Sequence, residues 1–96
     1  MGMVRVLVVD DDELVAIDVK NKLEALGRYY VCGAAATGRG AIEEAGLCSP
    51  DIVLMDIVLK GEMDGIEAAR EIQSKYDIPI IFLTAYSDEE KLSRAK

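Results

Sequence analysis

The sequence contains no histidine and no tryptophan, and only one phenylalanine, two prolines and two cysteines. Without histidine, the commonest general base and the commonest zinc ligand are both missing, so any chemistry must run on carboxylates and hydroxyls. Cys32 and Cys48 are too few for a disulfide scaffold and lack the spacing of a metal-binding pair; they read as reduced, half-buried thiols. No apolar run approaches the roughly 18 residues of a membrane span. Met1 to Val9 lacks a charged segment leading into a cleavable apolar stretch, so the expected location is the cytoplasm. Cations are in the minority: 11 Lys and Arg face 18 Asp and Glu, for a net charge of -7. That balance argues against nucleic acid or an anionic membrane as the main partner, and fits a small cation or a basic protein surface better.

What is present is globular in character. Ninety-six residues, 51% hydrophobic and 30% charged, make one small domain over residues 1–96 with a single modest core. Three apolar runs stand out: Val4–Val9, Ile52–Met55 and Ile78–Leu83. They are short, β-branched and continuous, as strands of a parallel sheet covered on both faces are. A weaker run, Tyr29–Ala34, reads as an edge strand. Between the runs lie helical spacings: Val15, Val19, Leu23 and Leu26 closed by Gly27; then Ala41, Ile42 and Ala45; then Ile66, Ala69, Ile72 and Tyr76, with Asp64 and Glu67 as a cap. Ser87-Asp88-Glu89-Glu90 repeats the capping pattern and opens an expected fourth helix running to Lys96. Gly38-Arg39-Gly40, Ser49-Pro50-Asp51 and Lys60-Gly61-Glu62 read as loops, none with phosphate-loop spacing. Strands alternating with helices in this way predict an α/β fold with a doubly wound parallel sheet.

Polar residues fall at telling places. Asp10, Asp56 and Thr84 each follow an apolar run directly, at the carboxyl ends of the first, third and fourth main strands. Ligands of open parallel sheets bind just outside those ends, where strand order reverses. Asp10-Asp11-Asp12-Glu13 includes a helix cap, since Asp is favoured there by hydrogen bonding and by the helix dipole. Capping accounts for one or two of the four. Crowding the rest near Asp56 would cost on the order of 4 kcal/mol per pair at about 4 Å, a cost that a divalent cation removes. Oxygen-only ligands with a few carboxylates suit Mg²⁺ better than an all-protein calcium cage. Asp56 is either a strand-end Asp bonding a turn or a nucleophile that attacks phosphorus to form an acyl phosphate. Thr84 either caps a strand end or donates its hydroxyl to a phosphoryl oxygen.

Taken together, Val8-Val9-Asp10-Asp11, Pro50-Asp51-Ile52-Val53-Leu54-Met55-Asp56, Met63-Asp64-Gly65 and Pro79-Ile80-Ile81-Phe82-Leu83-Thr84-Ala85 resemble the response regulator receiver domain of two-component phosphorelay signalling. The resemblance implies a flavodoxin-like sheet of order 2-1-3-4-5, here stopping before the fifth strand and fifth helix. It implies that Asp56 is the phosphoacceptor, that Asp10 and Asp11 hold Mg²⁺ together with Asp56 and the backbone carbonyl of Val58, and that Thr84 is the switch hydroxyl. Asp12 has no family role. A sensor histidine kinase would be the phosphoryl donor and a downstream output domain or protein the recipient of the signal, with a homodimer possible; such a module is a signalling protein rather than an enzyme. The loop from Asp56 to Asp64 is one residue longer than the commonest family pattern. Family members also continue into a strand bearing a lysine, for which Lys60, Lys91 and Lys96 cannot stand in. The expectation is a fragment of a longer receiver. Two alternatives differ in class: a haloacid-dehalogenase-type phosphatase with Asp10 as nucleophile and Asp12 as general acid, and an adaptor that keeps the fold without being phosphorylated.

Overall fold

Val4–Val9 forms β1 at the centre of the sheet, because its continuous β-branched run can be buried on both sides. The computed structural model describes residues 2–59 and 61–83. Within them the order is β1 (Val4–Val9), α1 (Glu13–Ala25), β2 (Tyr29–Ala35), α2 (Gly38–Cys48), β3 (Ile52–Asp56), α3 (Gly65–Tyr76) and β4 (Ile80–Leu83). The four strands make one sheet in the order β2-β1-β3-β4, and every pairing is parallel. The doubly wound α/β expectation therefore holds, with β2 at an edge. The expected fourth helix, from Ser87 onward, lies outside the described residues.

Strand alternation divides the core in two. Leu7 and Val9 of β1, paired with Val53 and Met55 of β3, face Ala41 and Ala45 of α2 and Ala68 and Ile72 of α3. Val6 and Val8, paired with Ile52 and Leu54, face the other way, onto Ala16, Val19 and Leu23 of α1. A parallel sheet clothed on both faces is the reason these strands carry no polar alternation. β4 departs from the expectation. It starts at Ile80 rather than Ile78, with Ile78 buried ahead of it, and Ile81 and Phe82 stay exposed.

The helix ends follow local chemistry. Asp12 caps α1, its carboxylate accepting from the amides of Leu14 and Val15, and Gly27 follows the helix at a φ of 81°, a left-handed conformation that suits glycine. Gly38-Arg39-Gly40 is not a loop, as its composition suggests, but the first turn of α2. Thr37 caps that turn through a bond from the Gly40 amide, and Gly38 lies so close to Met63 that a side chain would collide with it. Asp64 and Glu67 form a reciprocal capping box at α3, the Glu67 amide donating to Asp64 at 2.9 Å and the Asp64 amide to Glu67 at 3.1 Å. Asp64→Ala is expected to cost about 1 kcal/mol, read as a lower urea midpoint at unchanged slope. An unchanged midpoint would show that α3 is held by packing alone.

Candidate functional site

β1 lies between β2 and β3, so the chain leaves it on one side and returns on the other. The crevice at the carboxyl ends of β1 and β3 is the place where strand order reverses. Asp10 directly follows β1 there, and Asp56 is the last residue of β3 rather than the first residue beyond it. The two side-by-side strands thus deliver two acids to one edge of the sheet, and Asp11 adds a third.

The structure brings the three together. One carboxylate oxygen from each of Asp10, Asp11 and Asp56 lies within 4.8 Å of the others. Asp10 and Asp56 are buried, at 7% and 2% exposure, and Asp11 is half-buried. Each buried acid is oriented by a backbone amide two residues on. The Asp12 amide donates to Oδ1 of Asp10 at 2.9 Å, and the Val58 amide donates to Oδ1 of Asp56 at 3.2 Å. These turns fix the side chains in rotation while the strands fix them in position.

Three carboxylates so close repel by roughly 3–4 kcal/mol per pair at an effective dielectric near 20. A site of oxygen donors alone, largely withdrawn from water, fits a hard divalent cation, with room in its shell for waters. The donor chemistry therefore suits Mg²⁺.

Other anticipated residues fall as follows. Val58 sits beside the cluster, its amide on the Asp56 carboxylate. Thr84 lies outside the described residues; its chain neighbour Leu83 pairs with Asp56 in the sheet. Asp12 is exposed and its carboxylate is engaged in capping α1, which leaves it poorly placed as the general acid of a phosphatase. One contributor escapes a reading by residue type. Gly65, the first residue of α3, donates its amide to the Ile57 carbonyl at 3.0 Å and packs against the Asp56 carbonyl so tightly that a Cβ has no room. Its sequence signals are a glycine just after a capping Asp and its place in the Met63-Asp64-Gly65 segment of the family resemblance.

Comparison with known proteins agrees with this geometry. A family model described as the response regulator receiver domain matches residues 6–96. The transcriptional regulatory protein PdtaR of Mycobacterium tuberculosis is 41% identical over 92 residues, covering 96% of this chain and 44% of PdtaR. LiaR of Bacillus subtilis, also a transcriptional regulatory protein, is 42% identical over 91 residues, covering 94% of this chain and 43% of LiaR. The chain thus spans less than half the length of these relatives. Among solved structures, the signal receiver domain of a modulated diguanylate cyclase from Desulfovibrio desulfuricans superposes with a TM-score of 0.82 at 40% identity, covering 97% of this chain and 74% of that one.

Proposed function

The chain belongs to the response regulator receiver domain family, and on that premise we propose that it forms one receiver domain whose Asp56 accepts a phosphoryl group from a phosphohistidine of a sensor kinase. The single observation that supports this most is the meeting of Asp10, Asp11 and Asp56 at the switch point of the sheet. In the transfer, an Asp56 carboxylate oxygen bonds to phosphorus as the bond from phosphorus to the donor's imidazole nitrogen breaks. The electron pair stays on that nitrogen, and the donor histidine regains a proton.

Asp10, Asp11, Asp56 and the Val58 carbonyl would hold Mg²⁺. When bound, Mg²⁺ supplies positive charge that offsets the carboxylates and the phosphoryl oxygens. The Val58 amide keeps the Asp56 carboxylate turned toward the crevice, and the Asp12 amide does the same for Asp10. Thr84 serves as the switch hydroxyl that reports the phosphoryl group to the surface. Such a report works by favouring one of two arrangements of that surface. The recipient is an output domain or protein, in keeping with the regulatory names of the relatives. The setting is cytoplasmic and the chain acts as a signalling protein rather than a turnover enzyme; no described helix is long and apolar enough to cross a membrane.

Incubating the full chain with Mg²⁺ and acetyl phosphate tests this reading. The expected product carries one added phosphate that hydroxylamine removes, and EDTA prevents its formation. A folded, Mg²⁺-loaded sample with no mass change would leave the adaptor alternative standing instead.

A further inference from the structure

At the carboxyl end of α2, two cysteines that lie 16 positions apart in the chain come into contact. Cys32 Sγ in β2 lies 2.7 Å from Cys48 Sγ at the end of α2, and both are half-buried free thiols. Two independent features of the backbone bring them together. The β1–β2 register jumps from Val6↔Val31 to Leu7↔Gly33, so Cys32 is the extra residue of a β-bulge, a device that re-aims a side chain. Gly33 then leaves the space that Cys48 Sγ approaches: a Cβ there would lie 3.3 Å from that sulfur. The Cys48 backbone is itself anchored, its carbonyl accepting from Arg5 Nε at 3.2 Å and from a second guanidinium nitrogen of Arg5 at 2.7 Å.

We propose that Cys32 and Cys48 form a modification site at which the protein reacts with a low-molecular-weight disulfide and closes an intramolecular bond between edge strand β2 and helix α2. The site is separate from the acidic cluster and does not rest on the phosphoacceptor reading.

The environment assigns an order to the two sulfurs. Burial, then the hydrogen bond and the charge of Cys32, then Glu44, push the Cys48 thiol up to about 12, against a smaller opposing pull from Arg5. Cys48 therefore holds its proton the more tightly, which leaves the first attack to Cys32. The Cys32 thiolate displaces one thiolate from the small disulfide and forms a mixed disulfide. Its negative charge is then gone, and with it two of the causes that hold the proton on Cys48. Cys48 loses that proton, attacks Cys32 Sγ and expels the second small thiolate. Overall, two protein thiols are oxidised to one disulfide, one small disulfide is reduced to two thiols, and the two protein protons end on the two leaving groups.

The test uses the reduced full chain incubated with oxidised glutathione, then denatured without reductant for intact mass and peptide mapping. Wild type is expected to lose two hydrogens in mass, to lose both cysteines to iodoacetamide, and to yield a peptide joining Cys32 to Cys48. Cys48→Ala is expected to stop at a glutathione adduct on Cys32. Closing a loop of this size is expected to raise the thermal midpoint of wild type by roughly 10 °C, a gain that reductant reverses. Two results would overturn the proposal: wild type whose two thiols both remain alkylatable, or wild type that accumulates a glutathione adduct and no internal bond. Because the primary measurement is made on wild type, neither result depends on how well the variant folds.

Discussion

Asp56→Asn is expected to abolish phosphate uptake from acetyl phosphate while leaving the fold intact. The amide has the shape of the carboxylate, and its oxygen can still accept from the Val58 amide, so the turn at the end of β3 survives. What disappears is the nucleophilic charge. Removing one of three crowded carboxylates also changes stability. The pairwise repulsion of about 3–4 kcal/mol is an upper bound for groups that relax and are partly solvated, so the variant is expected to gain roughly 1 kcal/mol in metal-free buffer. Adding Mg²⁺ reverses the comparison, because a ligand that binds only the folded state stabilises it by an amount that grows with the logarithm of its concentration over Kd, and the variant's depleted site binds more weakly. Urea unfolding of both proteins with and without Mg²⁺, alongside the mass assay, reads all three effects. A variant still phosphorylated at the wild-type rate would move the nucleophile elsewhere, with Asp10 of the phosphatase alternative the first place to look.

Most of the fold was legible because its signals are local. The β-branched runs of β1 and β3 announce burial on both faces, Gly27 and the Asp64–Glu67 pair mark helix ends by their own hydrogen bonding, and acids at the ends of two apolar runs converge once the strands are parallel neighbours. What stayed hidden depends on contacts between distant segments. Two glycines with poor helix propensity disguised the first turn of α2, which is held by the Thr37 cap and by the close approach of Met63 to Gly38. The register jump that turns Cys32 toward Cys48 belongs to the pairing of β1 with β2 and has no trace in residue spacing. The exposure of Ile81 and Phe82 is likewise a matter of which described helices cover the sheet; α2 and α3 supply the side chains packed on β1 and β3, and the apolar sequence of β4 alone cannot report that. Val58 illustrates a third case: a hydrophobic side chain conceals the backbone amide that orients Asp56, whereas the family resemblance pointed to the Val58 carbonyl.

Gly65→Ala carries the largest expected loss of stability. At an open first position of a helix, this change ordinarily stabilises by up to about 1 kcal/mol, since Ala loses less backbone freedom on folding. Gly65 is also not among the residues with positive φ, so no conformational strain opposes Ala. Packing reverses the sign. A Cβ would run into the Asp56 carbonyl oxygen and lie 2.9 Å from the Ile57 carbonyl oxygen and 3.0 Å from the Asp56 carbonyl carbon. All three are backbone atoms at the end of a buried strand, which cannot swing aside as the tip of a side chain can. Relief requires α3 to back away from β3, which stretches the Gly65 amide bond to Ile57 and loosens Ala68 and Ile72 in the core. The cost is expected near the upper end for overpacking, about 3 kcal/mol, a large share of the 5–15 kcal/mol typical of a whole domain. Because the displaced backbone carries Asp56, phosphate uptake is expected to slow even under conditions where the variant remains folded by circular dichroism. Urea unfolding together with the rate of acetyl phosphate labelling measures both. A variant as stable as wild type would mean that the β3–α3 junction has slack, and that Asp56 is positioned by its strand alone.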